Sequence, residues 1–142
     1  MNKKAFSTYY TMIFFMLFMM ICFAFAKNVI NSARIATLTL QSAKVFYLAE
    51  SGIEYAKSKI VSDNNWHTDN TTIIEDKSYL LLNANGQIIT IKNGGFKIIR
   101  AKDKNIIYSI GFLGNEMLLS PSYSFQKCVF SLPMKSVKWE EL

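Results

Sequence analysis

Proline is almost missing from this chain of 142 residues, which has only Pro121 and Pro133, and glycine numbers six with none before Gly52. Nothing local therefore breaks a helix ahead of Gly52. Cysteine is limited to Cys22, in the middle of an apolar run, and Cys128, far away in the C-terminal half. The two are not expected to meet, so a disulfide framework is excluded. The single histidine, His67, lies in a polar stretch with no Cys or paired carboxylates at ligand spacing, which argues against a metal site or a general base. No glycine-rich phosphate loop occurs either, because Asn93-Gly94-Gly95 joins two strand-like runs and does not open a helix. Arrangements that activate a Ser or Cys nucleophile are also missing. The sequence gives no reason to expect an enzyme, a cofactor or a metal.

What is present starts at the N-terminus. Lys3 and Lys4 precede an uncharged run from Ala5 to Ala26, rich in Phe and Met. That run reaches the ~20 residues a membrane-spanning helix needs. One continuous helix from Phe6 to Val61 would be on the order of 80 Å long, over twice the ~30 Å of a bilayer core. The charge follows the same division. Up to Ser62, seven Lys and Arg stand against Glu50 and Glu54, and from Asp63 onward nine stand against eight acids, so the net +6 splits into +5 and +1. Cations beside an apolar span set its orientation and meet anionic lipid. A retained span is expected in the inner (cytoplasmic) membrane, with the N-terminus in the cytoplasm and the rest outside. The competing reading is a cleaved secretory signal, since Ala24-Phe25-Ala26 has the small-large-small cleavage pattern. Against it stand the very short basic region and the uninterrupted helical sequence beyond.

From Lys27 the pattern becomes amphipathic. Leu38, Val45, Ala49, Ile53, Ala56 and Ile60 recur at spacings of three, four and seven, one stripe of a helix. Residues 62–72 are turn formers that end it. Runs rich in Ile, Leu, Tyr and Phe follow at Tyr79–Leu82, Gln87–Lys92, Phe96–Arg100 and Ile106–Phe112. They are separated by Asn83–Gly86, Asn93–Gly95 and Lys102–Asn105, which read as hairpin connections. A further strand is expected around Ser124–Leu132, limited by Pro133. The fold class is α+β: a long N-terminal helix packed on a small antiparallel meander sheet of 4-5 strands, one face of which the lower helix stripe buries. The organisation reads as a basic leader (1–5), a transmembrane helix (6–27), an amphipathic stem helix (28–62) and a β-rich extracytoplasmic head (63–142).

Other chemistry-bearing residues have plain readings. Glu50 and Glu54 lie one helical turn apart and read as solvated or paired carboxylates, with Lys57 beside Glu54. Asn70-Thr71-Thr72 matches the N-glycosylation triplet, which is common by chance. Arg100, Lys102 and Lys104 alternate on an extended run and form a short basic row. It reads as a solvated edge that blocks aggregation, with contact to DNA or an anionic envelope polymer as the alternative. No aromatic interleaving accompanies it, and nucleic acid is an unlikely partner.

Four stretches resemble the type IV pilin-like proteins, and among them the minor pilins and the minor pseudopilins of type II secretion. Lys3-Lys4-Ala5 before Phe6 resembles a prepilin peptidase site. Ala43 to Ile60, with its aromatics, alanines, Glu50, Gly52 and the run Ile53-Glu54-Tyr55-Ala56, resembles the family's helix motif. Ile107-Tyr108-Ser109-Ile110-Gly111 is similar to a strand ending in Ser-x-Gly, and Val137 to Glu141 to the Trp-Arg-Glu type of ending. The resemblance implies cleavage between Ala5 and Phe6 by a prepilin peptidase, methylation, an inner-membrane assembly platform, and assembly with other pilin-like subunits through helix packing. Two positions depart from the family pattern. Ala5 replaces the usual glycine, and Tyr10 stands where most members have the glutamate thought to neutralise a neighbour's N-terminal ammonium. Lack of that glutamate resembles the tip-capping minor pseudopilin, which implies a minor, priming or tip subunit. A single-pass envelope protein unrelated to pili is the remaining expectation.

Overall fold

The computed structural model describes residues 3–69, 73–102, 104–131 and 137–141. One helix, α1 (Lys3–Ser62), is followed by a short α2 (Lys77–Leu82) and by strands β1 (Gln87–Ile91), β2 (Gly94–Arg100), β3 (Ile106–Leu113), β4 (Tyr123–Phe130) and β5 (Val137–Glu141), with a 3-10 turn at Met117–Leu119. The strands form one antiparallel sheet in the order β1-β2-β3-β4-β5, a pure meander. The chain divides into two compact units, Met1–Thr39 and Leu40–Leu142. The first is a stretch of α1 alone, with residues 7–39 exposed along its whole length. The second holds the remainder of α1 and everything after it.

In the second unit the expected stripe is buried. Val45 is 2% exposed and Ala49, Ile53, Ala56 and Ile60 are fully buried, whereas Leu38, in the first unit, is 55% exposed. Ile53, Ala56 and Ile60 pack with Phe96, Ile98, Ile107, Cys128 and Phe130 from one face of the sheet. Burying a side chain the size of Ile contributes about 1.5–3 kcal/mol.

The helix lies unusually close to β3. A Cβ placed on Gly111 would overlap the Val45 carbonyl oxygen and lie 2.7 Å from the Ala49 nitrogen. A Cβ on Gly52 would run into Ser109 Oγ and lie 3.0 Å from the Phe96 ring. Helix backbone thus meets sheet with no side chain between. Ser109 is fully buried there, and its Oγ has no hydrogen-bond partner among the described residues.

The opposite face has its own core, in which Ile73, Leu80 and Ala84 cover Ile99, Ala101, Tyr108 and Ile110. This layer corrects the expectation that Tyr79–Leu82 is a strand. Asp76 caps that segment as a helix, accepting the Tyr79 N–H at 3.0 Å. At its other end, Lys97 Nζ donates to the carbonyls of Leu80 (2.9 Å) and Leu81 (3.0 Å). Asn83–Gly86 consequently joins a helix to β1. The fifth strand is β5, in the segment read as a C-terminal motif.

The β1–β2 connection is also tighter than expected. Ile91 pairs with Gly94, leaving Lys92-Asn93 as a two-residue turn with Asn93 at φ 71°. Gly95 lies inside β2, where a Cβ would be 2.6 Å from Phe112 Cζ.

Substitution of Gly111 by Ala should cost roughly 1–3 kcal/mol or more, because the obstacle is helix backbone that cannot rotate away. Gly52→Ala meets a side chain instead, so adding Ser109→Gly should recover much of the loss. Denaturant unfolding of the detergent-solubilised chain measures both, and additive effects of the Gly52 and Ser109 changes would contradict the contact.

Candidate assembly surface

Residues 7–39 carry the largest exposed apolar surface of the molecule. Phe14 is 72% exposed, Met20 72%, Phe23 73% and Phe25 71%. A helix of this length and composition can cross a membrane, and its most apolar window is wholly unburied. In water such a surface would be costly at about 25 cal/mol per Å². Hydroxyls in this stretch turn back onto the helix: Thr11, Thr37 and Thr39 donate to the carbonyls of Ser7, Ala33 and Ile35 at 2.7–2.9 Å. These bonds satisfy the three hydroxyls within the helix's own backbone. Cys22 is exposed in the same stretch and Cys128 is buried in the core; both are free thiols.

Lys3, Lys4, Ala5 and Phe6 all lie within α1, which starts inside the segment read as leader. Tyr10 is 57% exposed on the helix. The Asn70-Thr71-Thr72 triplet and Pro133 lie outside the described residues. Glu54 pairs with Lys57, as the spacing indicated.

The basic row does not form. Arg100 ends β2, an interior strand, and is only 3% exposed. Its Nη1 donates to the Trp66 carbonyl and its Nη2 to that of Asn64 at 3.1 Å, while the guanidinium lies 5.2 Å from the Phe130 ring centroid. Burial pulls its pKa below the ordinary arginine value, opposed by the charge of Asp63. Lys102 is an exposed turn residue and Lys104 is half-buried. Alternation fails because the strand stops at Arg100, and the arginine turns inward to anchor the loop that follows α1. Lys97, at 4% exposure, is buried from the other face of the same strand, and desolvation lowers its pKa against the pull of Asp69. Neither buried cation was legible, since both are held by main-chain carbonyls distant in sequence.

A second surface lies around β1. On one side is an open groove of about 650 Å³, lined by Lys44, Tyr47 and Leu48 of α1 and by Ile91, Lys92 and Pro121. On the other side is one of about 410 Å³, lined by Leu82, Ile88, Thr90, Glu116 and Leu118. No cluster of His, Cys, Asp and Glu able to hold a metal occurs among the described residues. The arrangement offers surfaces for packing and pairing. Comparison with protein-family models, curated proteins and solved structures finds no match to this chain.

Arg100→Ala should destabilise the second unit by roughly 1–3 kcal/mol, since it removes a buried side chain and the bonds that hold the Asn64 and Trp66 carbonyls. Hydrogen exchange should speed up across residues 63–69, while Lys102→Ala and Lys104→Ala leave both stability and exchange unchanged. Equal effects at all three positions would restore the basic row.

Proposed function

We propose that this chain is a membrane-anchored structural subunit of the minor pilin or minor pseudopilin kind, assembling through its N-terminal helix at the tip or priming complex of a type IV pilus or type II secretion pseudopilus. The observation that carries this reading is the division of labour within α1. Its first part is apolar and exposed on every side, and its last part is built into a sheet-bearing unit. A helix of that kind is stable only where its exposed part is surrounded, first by lipid and then by similar helices, so that the apolar surface stays buried throughout. The motifs behind the family resemblance support the same reading from the other end. Ala43 to Ile60 is the segment that lies on the sheet, and Ser109-Ile110-Gly111 is the strand on which it lies. Tyr10 in place of a glutamate favours a minor subunit over a major one. The orientation, with N-terminus inside and sheet outside the inner membrane, rests on Lys3 and Lys4.

Contact with DNA or an anionic polymer has less support, because its leading residue, Arg100, is buried. A single-pass envelope protein unrelated to pili shares the anchor but not the motifs. Genes for a secretion ATPase and a prepilin peptidase beside this one would separate the two.

Co-expression with a prepilin peptidase should shorten the membrane-embedded protein by the leader, with Phe6 as the new N-terminus. Replacing Ala5 by a bulky residue should block the cut. Full length retained with and without the peptidase would overturn the reading.

A further inference from the structure

We propose that β1 takes an extended segment of a partner protein as an added strand, one whose side chains are acidic on one face and aliphatic on the other. This goes beyond the subunit reading above and does not depend on it. β1 is an edge strand with β2 on one side, and it reads Gln-Ile-Ile-Thr-Ile, with no charge, no proline and no bulge. Ile91 pairs with Gly94 across a two-residue turn, so Gln87, Ile89 and Ile91 bond to β2 while the N–H and C=O groups of Ile88 and Thr90 point out of the sheet edge. Among the described residues, no backbone hydrogen bond outside the ladders involves β1. Proteins usually blunt such an edge with charge, proline or a bulge, and this strand has none of them.

The two faces beside that edge differ in chemistry. Ile89 packs into the core beneath α1, so Gln87, Ile89 and Ile91 share the α1 face, and Ile88 and Thr90 share the α2 face. On the α1 face, the groove at the end of β1 sets the apolar Leu48 and Ile91 beside two lysines, Lys44 and Lys92, and no acid lines it. Both lysines are exposed, and neither is ion-paired among the described residues. On the α2 face, the groove along Ile88 and Thr90 is lined by Leu82, Met117 and Leu118, with Glu116 beside them. Lys97 also reaches this groove, but its ammonium already holds the carbonyls of Leu80 and Leu81.

A strand added ~4.8 Å from β1 continues the alternation of its faces. The residue beside Ile91 comes to the lysine groove, and those beside Ile88 and Thr90 come to the aliphatic one. Charge then decides which way the strand faces. An acid beside Ile91 meets two unpaired lysines, whereas an acid on the opposite face meets Glu116. Aliphatic side chains on that opposite face cover Leu82 and Leu118, which are 63% and 64% exposed. The β1 of a second copy has no acid and would leave Lys44 and Lys92 unpaired, so the occupant is a segment of a different protein.

The test uses the full chain in a non-ionic detergent and a fluorescein-labelled peptide, Ser-Glu-Leu-Thr-Leu-Glu-Ser. Its pattern reads the same in both directions, so it fits β1 whether the added strand runs parallel or antiparallel. Fluorescence anisotropy, measured against empty micelles, should rise saturably below about 1 mM peptide. Hydrogen exchange of residues 87–91 should slow at the same time, since the added strand takes up the outward amides of Ile88 and Thr90. Combining Lys44→Glu with Lys92→Glu, in a chain that keeps the parent's denaturant midpoint, should weaken binding by about tenfold or more. A peptide with Lys in place of both Glu should bind the parent more weakly by a similar factor. Any of four results would overturn the proposal: no saturable rise, binding without slower exchange at 87–91, affinity indifferent to the charge reversals, or equal binding by a peptide copy of β1 itself, which would mark self-pairing.

Discussion

How closely α1 can approach β3 governs the globular unit. Two side chains are omitted where helix and strand cross, at Gly52 and Gly111, and the helix backbone comes down onto the strand. Contact this short brings Val45, Ile53 and Ile60 within reach of the sheet and buries Ala49 and Ala56 completely. It also fixes the rotation of the helix about its axis, because only the Gly52 side can face Ser109. Ser109 is small enough to fit there, and its hydroxyl is buried without a partner, a cost that closer packing of the neighbouring aliphatic side chains offsets.

Around that crossing, one interior strand fastens what the ladder cannot hold. β2 sends Lys97 to one face and Arg100 to the other. The first closes the end of α2, and the second ties down the loop after α1. Lys127 does similar work on β4, bonding Glu75 at 2.6 Å with Glu140 at 3.6 Å, and the Glu75 bond raises its pKa. The segment from Ile73 to Ala84 is short and would not be helical alone. It is held by these cations and by Leu80, and it gives the sheet a second covered face.

The unit thus places Lys97 and Arg100 inside, on carbonyls, and pairs Lys127 with two carboxylates, while Lys44, Lys77, Lys92 and Lys102 stay exposed. β1 and β5 are the two edges of the sheet.

Much of this was legible in residue order. The absence of Pro and Gly before Gly52, the uncharged run and the stripe from Val45 to Ile60 are local signals with a helical period, and the helix and its buried face follow from them. The strands at β1 to β4 were equally readable from apolar runs between turn formers. Tyr79–Leu82 was not, since four apolar residues suit either state, and the deciding groups were Asp76 nearby and Lys97 far away. Arg100 was misplaced for the same kind of reason: alternation identifies a face, but not whether the strand continues or which carbonyls wait on that face. The sequence by itself determined the long helix, its apolar and amphipathic halves and the meander, because periodicity and turn chemistry act between near neighbours. Only the tertiary structure decided the second core, the inward turn of Lys97 and Arg100 and the bare edge at β1, because each depends on groups brought together from distant parts of the chain.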